Sequence, residues 1–408
     1  MYKIKKIINY KFKKFNSYSN KEVNAAKKVV KTGILSEYLA GDLEGGNYVQ
    51  KFENHAKKVF RSKHAISVNS WTSGLVVAVG ALELEPGDEI IVTPWTMSAT
   101  ATAILHWGCI PIFVDIEKDT FCLDPKKIVD KISNRTKAII TVDIFGQSSD
   151  ISSINKIAKR YSLKVISDSA QAPASKYKDR YTGTMTDIGG FSLNYHKHIH
   201  TGEGGILVTN NDYLAKKMKL IRNHGETFVN LNKKLLINNI GHNFRLGEVE
   251  SAIGIEQLKK LKKIVKKKTE SANKLSRLLS KLPGIQTPVV RKNCTHVYYV
   301  YPIVLNRNIN RKKLINLLNK MGMQGLSEGY QLLHKLPVYK NKIAYGKKGF
   351  PWNITKKKYD YSEKLTISEE LHRKSFLSFE ICLYELSSVD IKNIYKCFQA
   401  AWKILKIA

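Results

Sequence analysis

Cysteine, acidic residues and long apolar runs are all scarce in this sequence, and each shortage excludes a class of protein. Its five cysteines are scattered without a C-x-x-C pair, so the pattern indicates neither a zinc module nor a disulfide framework. No apolar run is long enough to span a bilayer, and the basic N-terminus lacks the apolar core of a signal peptide. We therefore expect a soluble, cytoplasmic protein without a membrane segment and without a bound metal.

The shortage of acidic residues gives the chain a formal net charge of +34, from 68 Lys and Arg against 34 Asp and Glu. Such a charge can indicate a nucleic-acid or anionic-membrane partner. The lysines are spread along the whole chain, however, and no helix-turn-helix, zinc-finger or RNP-like segment accompanies them. We interpret them as general surface residues and expect no nucleic-acid partner, although a basic surface would help to attract an anionic substrate.

Short apolar, β-branched runs alternate with amphipathic segments between about residues 25 and 250. Each run is bounded by polar residues or by Gly and Pro, which is typical of strands buried on both faces. The runs are 65–68, 89–94, 111–116, 137–145 and 164–170. Between the runs lie segments with apolar residues at the spacing of one helix face. This alternation predicts an α/β domain in which helices cover a mostly parallel sheet.

The character of the sequence changes after a long basic helix predicted over residues 246–280. The segments that follow mix aromatic strands with helices, and Ser387 or Ser388 is the expected N-cap of the last helix. A chain of 408 residues usually forms more than one domain. We predict a three-layer large domain over residues 20–250 and a smaller α+β domain over residues 251–408, linked by the long helix.

One lysine, Lys197, stands among polar residues just before a glycine-rich turn and a strand. A lysine that forms a Schiff base must be partly neutral, which requires burial or cationic neighbours to lower its pKa. Taken alone, such a lysine is more often an exposed surface residue. His196, His198 and His200 surround it and raise the alternative of a metal site, but their spacing brings them together only in a distorted helix or on one strand face, so we expect no metal.

Asp168 is predicted to end a buried strand, where α/β folds place ligand-binding groups. A carboxylate there can hold a pyridinium nitrogen in its protonated form, so that the ring accepts electrons. Gln171, three residues later, could reach the same ring. The alternative, favoured for this segment in isolation, is an ordinary helix N-cap.

The segment VNSWTSGL, residues 68–75, runs from a strand end into a helix. Its hydroxyl groups and the free N–H groups of a helix start could bind a phosphate, and an ordinary capping cluster is an equally good interpretation. No G-x-x-x-x-G-K-[ST] occurs, and no G-x-G-x-x-G follows a strand, so nucleotide hydrolysis and dinucleotide binding are weak alternatives.

Together, the three segments resemble one family in order and spacing, the DegT/StrS-type sugar-nucleotide aminotransferases among the fold-type-I pyridoxal-phosphate enzymes. The resemblance extends over most of the chain. It includes EPGDEIIVTPWT, FGQSSD, SDSAQAPASKYKDRYTGTMTDIGGFS, HKHIHTGEGG and GHNFRLGEVESAIGIEQL. It implies an aspartate-aminotransferase-like fold and pyridoxal 5'-phosphate as cofactor.

The resemblance also assigns roles to the cofactor-binding residues. Lys197 falls on the position of the Schiff-base lysine, Asp168 on that of the ring-nitrogen partner, and Gln171 on that of the ring-hydroxyl partner. The positions of the phosphate ligands are those of Thr72, Ser73 and Ser192.

Two further residues gain roles in the same way. Asn243 matches an asparagine that reaches the phosphate in the neighbouring subunit's site, which implies a homodimer with shared active sites. His334 matches a substrate-side histidine.

The sequence also departs from the family pattern near the cofactor. The family usually has glycine at the position of Trp71. Met97 aligns with an aromatic residue that stacks on the cofactor ring, and Trp95 is the alternative stacking residue.

The activity implied by the resemblance is amino transfer from L-glutamate to a nucleotide-linked keto-sugar, by ping-pong kinetics, for surface polysaccharide or glycan precursors. The alternatives are a sugar dehydratase, a regulatory protein that has lost turnover, and a nucleic-acid-binding protein. Some dehydratases of the family carry histidine at the position of Lys197, which argues against the first alternative.

Overall fold

The computed structural model describes residues 4–38, 43–225 and 240–407. Its helices are α1 (Asn20–Val30), α2 (Asn47–Phe60), α3 (Trp71–Gly80), α4 (Ala99–His106), α5 (Ile151–Arg160), α6 (Asp212–Arg222), α7 (Glu248–Leu279), α8 (Arg311–Lys320), α9 (Pro337–Lys340), α10 (Thr366–Glu370) and α11 (Ser388–Leu405). Its strands are β1 (His64–Val68), β2 (Glu89–Val92), β3 (Ile110–Phe113), β4 (Thr136–Val142), β5 (Lys164–Asp168), β6 (Lys176–Tyr177), β7 (Arg180–Tyr181), β8 (Ile188–Ser192), β9 (Gly205–Thr209), β10 (Ile285–Gln286), β11 (Tyr301–Leu305), β12 (Leu326–Ser327) and β13 (Phe376–Phe379).

Seven strands form a mixed sheet in the order β1-β9-β8-β5-β4-β2-β3. The neighbours from β8 to β3 are parallel, and β9 lies antiparallel between β1 and β8. The five apolar runs of the sequence correspond to β1 to β5, so the prediction of a mostly parallel sheet is confirmed. The parallel direction matters for function, because it brings the carboxyl ends of several strands to one edge.

Helices cover both faces of this sheet and make it the middle of three layers. Adjacent residues of β2 show the arrangement: Ile90 enters the core formed with α3, α4 and α6, whereas Ile91 enters the core formed with α5. A third core joins α2 and the first part of α7 to β1, β8 and β9. Burial of each such isoleucine contributes about 1.5–3 kcal/mol, so the alternation along the strands accounts for the layering.

A second, antiparallel sheet has the order β10-β11-β13-β12 and packs with α8, α11 and the end of α7. The chain therefore has the predicted α+β part after the large α/β part. The helix predicted over 246–280 is α7, which contributes Leu258 to a core of the large sheet and Leu275 to the core of the small one. The division of the chain at residue 250 remains a prediction.

Local capping explains where the last helix begins. Ser387 caps α11 by accepting a hydrogen bond from the Asp390 backbone N–H, and the Asp390 side chain bonds back to the Ser387 backbone. This reciprocal arrangement satisfies two N–H groups that a helix start leaves without partners. Of the two serines considered from the sequence, Ser387 is therefore the N-cap. Among the residues described, no helix is both long and apolar enough to cross a membrane.

Candidate active site

Three segments meet at the carboxyl edge of the large sheet. β5 ends at Asp168, which pairs in register with Gly190 of β8. β8 ends at Ser192, which pairs with Gly205 of β9, and the Gly205 Cα faces the backbone of Trp71 at the start of α3. The sheet topology thus brings together the three segments that the sequence singled out.

Asp168 is buried and accepts three hydrogen bonds. Oδ1 accepts from the Trp71 Nε1–H at 2.7 Å and from the Ala170 backbone N–H at 3.2 Å, and Oδ2 accepts from the Thr100 hydroxyl at 2.8 Å. Burial raises the pKa of Asp168, and these donors together with the charge of Lys197 act in the opposite direction. The structure thus contains a buried carboxylate that is held in place by neutral donors.

Lys197 lies in the turn after β8, with only 7% of its surface exposed. Its Nζ lies 4.0 Å from the centroid of the Tyr299 ring. Burial lowers the pKa of Lys197 from its usual 10.5 to about 8, while the carboxylate of Asp168 acts in the opposite direction. The amine is therefore partly neutral near physiological pH, as a nucleophilic lysine requires.

Lys197 and Asp168 influence each other's pKa. Within the described residues, however, they form no direct ion pair: all three hydrogen bonds of the Asp168 side chain come from neutral groups. Lys197 and Asp168 therefore interact electrostatically without direct contact. This arrangement suits a ligand that binds Lys197 at one end and Asp168 at the other.

The three histidines around Lys197 do not converge on a metal. His198 is fully buried, and its Nε2 is hydrogen-bonded to the Val297 carbonyl at 2.8 Å. Burial lowers the pKa of His196 to about 4 and that of His198 to about 3, so both rings are neutral at pH 7. In the described parts of the chain, no group of three His, Cys, Asp or Glu side chains could hold a metal ion. The neutral rings contribute to a poorly solvated environment that favours the uncharged amine of Lys197.

Gln171 is also buried, and both ends of its amide are engaged. Its Oε1 accepts a hydrogen bond from the Phe145 N–H at 2.8 Å, and its Nε2 donates to the Tyr330 hydroxyl at 3.0 Å. The hydroxyl groups of Tyr330 and Tyr299 are close enough to influence each other's pKa. This network connects the ring that covers Lys197 to the loop after β5, and one Nε2–H of Gln171 remains for a ligand.

The helix α3 begins beside this site, with Ser70 as N-cap. The Ser70 hydroxyl accepts from the Ser73 N–H at 3.0 Å and bonds the Ser73 hydroxyl at 2.9 Å. The side chain of Thr72 is exposed, and the Ser192 Oγ at the end of β8 accepts from the Asn194 N–H at 3.2 Å. A helix start flanked by hydroxyl groups is a site that suits a phosphate, so both interpretations of this segment, cap and phosphate site, fit the same residues.

The two candidates for stacking on a cofactor ring differ in burial. Trp95 is fully buried, with its ring edge-on to Phe376 at 4.6 Å between centroids. Met97 is 54% exposed and lies in the loop that leads into α4. Trp95 is therefore part of the core, and Met97 as the stacking residue remains a prediction.

Among the described residues, neither Asn243 nor His334 is hydrogen-bonded to Asp168. Asn243 is exposed and its Oδ1 accepts from the Arg245 Nε–H at 3.0 Å. His334 is 2% exposed, its Nε2 is 3.3 Å from Glu369 Oε1, and its Nδ1 has no partner in the described residues. The Asn243 carbonyl also accepts a hydrogen bond from the Asn69 Nδ2–H at 3.3 Å, which places Asn243 close to the start of α3.

A cavity of about 240 Å³, here called the Tyr299 cavity, opens beside Lys197. Its lining comes from both sheets and includes Tyr195, His196, Tyr299, Ser327, Ser378 and Glu380. Burial raises the pKa of Glu380, and within the described structure no side chain donates a hydrogen bond to its carboxylate.

Sequence reasoning missed several of these residues. Thr100 and Trp71 bind Asp168 from other elements, and Tyr299, Tyr330 and Glu380 arrive from the part of the chain around the small sheet. The only signal in the sequence was the unusual tryptophan at position 71. These contacts join segments that are far apart in the chain, and such contacts leave no local pattern.

The residues present fit pyridoxal phosphate. In the described parts of the chain, the buried carboxylate of Asp168 has no cationic partner of its own; the amine of Lys197 has a lowered pKa, and hydroxyl groups flank a helix start at the same edge. These match the ring nitrogen, the aldehyde and the phosphate of that cofactor. The fold and the site thus define a fold-type-I pyridoxal-phosphate enzyme.

Comparison with known proteins agrees with this class. Residues 21–374 match the DegT/DnrJ/EryC1/StrS aminotransferase family, and the chain belongs to that family. It is 34% identical to GDP-perosamine synthase of Escherichia coli O157:H7 over 317 residues, which cover 76% of this chain and 85% of that protein.

Two solved structures are similar over most of their length. Helicobacter pylori PseC, an aminotransferase involved in the biosynthesis of pseudoaminic acid, is 26% identical with a TM-score of 0.80, and the match covers 97% of this chain and 99% of PseC. NtdA of Bacillus subtilis, solved with its bound cofactor PMP, is 29% identical with a TM-score of 0.80, and the match covers 97% of this chain and 86% of NtdA. The chain is therefore a pyridoxal-phosphate-dependent aminotransferase of this family.

Proposed function

We propose that this enzyme transfers the amino group of L-glutamate to a nucleoside-diphosphate-linked keto-sugar in the cytoplasm, for surface polysaccharide or glycan precursors. The observation that carries the proposal is the buried amine of Lys197, whose pKa is lowered to about 8 opposite the carboxylate of Asp168. When bound, pyridoxal phosphate supplies an electron-accepting ring and an aldehyde. All other steps depend on groups of this chain.

Lys197 has two roles in this proposal. Its neutral amine binds the cofactor covalently in the resting enzyme and, once a substrate amine has displaced it, acts as the base that takes the proton from the donor's α-carbon. Tyr299 excludes water from the amine, and Asp168 holds the proton on the ring nitrogen. Ser73, Thr72 and Ser192 bind the phosphate, and Gln171 orients the ring hydroxyl.

The identity of the acceptor rests on the relatives and on the lining of the Tyr299 cavity. GDP-perosamine synthase and PseC are named for sugar products. The cavity presents Ser327, Ser378 and Glu380, which can bond sugar hydroxyl groups, together with aromatic rings. We assign this cavity to the sugar, and His334 to a neighbouring substrate contact that forms when the segment around it moves.

A homodimer follows from the role given to Asn243. This residue is exposed, so it is free to reach a neighbouring subunit. Mixing Lys197→Ala with Asn243→Ala chains tests the proposal, because a mixed dimer then contains one site with both native residues. Activity that appears only in the mixture supports shared sites; two inactive variants that stay inactive when mixed and refolded contradict them.

The location and the domain division are part of the same proposal. All five cysteines are free, which suits a reducing compartment such as the cytoplasm. We assign the large domain to residues 20–250 and the small one to residues 251–408, because each of the two sheets has its own core; Leu333, Tyr339 and Trp352 of the second range pack in the core of the large sheet.

The proposed activity is tested by incubating purified protein and L-glutamate with a panel of nucleotide-linked keto-sugars. Formation of 2-oxoglutarate with one of them, together with the amino sugar, is the expected result. A sugar product that forms equally well without glutamate would indicate a dehydratase instead. Lys197→Ala, assayed on the same panel, is the control for both outcomes.

A further inference from the structure

This chain has Trp71 at a position where the family usually has glycine. The indole of Trp71 binds Asp168 directly. The indole Nε1–H donates to Asp168 Oδ1 at 2.7 Å, and the tryptophan is 6% exposed. Trp71 is the first residue of α3, whereas Asp168 ends β5, so the hydrogen bond joins the helix start to the strand end.

The surrounding glycines leave a slot for this indole. A Cβ on Gly190 of β8 would lie 2.3 Å from the Trp71 ring, and a Cβ on Gly74 of α3 would lie 2.8 Å from it. Contacts under 3.0 Å do not occur between well-packed carbon atoms, so a side chain at either position would push the indole out. Gly190 also pairs in register with Asp168. The slot therefore fixes the Trp71 indole, strand β8 and the Asp168 carboxylate relative to each other.

We propose that Trp71 is a positioning residue for the cofactor's ring-nitrogen partner: its indole N–H keeps Asp168 oriented and ionised, so that the proton stays on the ring nitrogen. The inference rests on the proposed cofactor site. It assigns a role in that site to Trp71, which this chain has in place of the glycine usual in the family.

The physical reason is that the Asp168 carboxylate and the ring nitrogen of the cofactor share one proton. Hydrogen-bond donors to a carboxylate stabilise its ionised form. Asp168 is buried, so it depends on its few donors to stay ionised: Trp71 and Ala170 on Oδ1, and Thr100 on Oδ2. Without the indole N–H, the proton moves from the ring nitrogen toward the carboxylate, and the ring accepts electrons less well.

The test compares Trp71→Phe with Trp402→Phe. Phenylalanine keeps an aromatic ring at position 71 but removes the donor. Trp402 is a matched control, since it is 3% exposed and its Nε1–H donates to the Pro283 carbonyl at 2.9 Å, in the core of the small sheet.

Two properties other than turnover are measured on each purified protein. The first is the dissociation constant of pyridoxal phosphate from the apoprotein, followed by absorbance. The second is the pH midpoint of the visible band of the loaded enzyme, which depends on the ring charge. For Trp71→Phe we expect about tenfold weaker cofactor binding and a midpoint shifted upward, because a less positive ring favours protonation of the covalent linkage. Trp402→Phe should match the wild type in both.

Values for Trp71→Phe within a factor of two of wild type, with an unchanged midpoint, would overturn the inference while leaving the proposed function intact. If wild-type protein itself fails to bind the cofactor, the proposed function fails first, so the two failures are distinguishable.

Should Trp71→Phe fail to fold, the indole signal itself provides a second measurement. With five tryptophans in the chain, indole ¹⁵N labelling gives few signals, and Trp402→Phe assigns one of them. One N–H signal is expected at the low field typical of a bond to a carboxylate, and it should move when Asp168→Asn is introduced. If none of the five indole signals shifts in Asp168→Asn, the result contradicts the hydrogen bond between Trp71 and Asp168.

Discussion

The amine of Lys197 lies 4.0 Å from the centre of the Tyr299 ring. An aromatic face attracts a cation, which by itself would raise the pKa of the lysine. Burial has the opposite and larger effect, since the pKa of Lys197 falls to about 8. Tyr299 therefore acts mainly by keeping water away from the amine.

This relationship predicts different results for two substitutions of Tyr299. Tyr299→Ala should admit water and raise the pKa of Lys197 toward 10.5, because the charged form regains its solvation. Each unit of that rise makes the neutral fraction of the amine at pH 7 about tenfold smaller, and cofactor attachment slows in proportion. Tyr299→Phe keeps the ring and should keep the pH dependence.

The measurement is the rate of visible-band formation from apoprotein and pyridoxal phosphate between pH 6 and 10. For wild type and Tyr299→Phe, the rate should rise with pH with a midpoint near the Lys197 pKa of about 8, and it should level off roughly one to two units higher, where deprotonation of Lys197 is nearly complete. A profile for Tyr299→Ala that coincides with wild type would show that the ring does not control the amine.

Asp168→Asn should reduce turnover by about 100-fold or more, because a neutral amide cannot hold a proton on the ring nitrogen. The protein should stay folded, since the site is hydrogen-bonded by neutral groups. Steady-state kinetics and thermal unfolding of the same preparation separate the two effects. Turnover close to that of wild type would rule out the role given to Asp168.

A buried ion pair away from the site should contribute strongly to stability. Arg222 and Glu53 are both nearly inaccessible, and the Arg222 Nη1 lies 2.5 Å from Glu53 Oε1. Glu53→Gln leaves a buried guanidinium without its counter-charge and should lower the free energy of unfolding by about 3–5 kcal/mol. Lys63→Ala breaks the exposed pair of Lys63 with Asp212 and should cost about 1 kcal/mol or less.

Denaturant unfolding of the apoproteins checks this comparison. Equal effects of Glu53→Gln and Lys63→Ala would mean that the buried pair is no more important than a surface pair.

Much of the large sheet could be predicted from the sequence, because strands buried on both faces appear as apolar, β-branched runs. β8 was not predicted as a strand, since its sequence IGGFS contains two glycines, one of which makes room for the Trp71 indole. The network of Tyr299, Tyr330 and Gln171 was also beyond prediction, because its members lie far apart in the chain and their pairing depends on tertiary packing.

The site residues assigned by resemblance also fall into two groups, those that local patterns can indicate and those that depend on contacts between distant segments. Lys197 and Asp168 are brought together by the topology of one sheet, which local patterns can indicate. The role proposed for Asn243 depends on a neighbouring chain, and the role proposed for His334 depends on the arrangement of the segment after β12. Their roles remain predictions that need substrate or the assembled dimer to be observed.

The covalent role of Lys197 is tested most directly by locating the lysine that carries the cofactor. Purified protein is incubated with pyridoxal phosphate, reduced with borohydride, digested and analysed by peptide mass spectrometry. We expect one labelled peptide, containing a modified Lys197, and no label at that position when glutamate is added before reduction. Label on any other lysine, or none on Lys197 in protein that transaminates, would contradict this role.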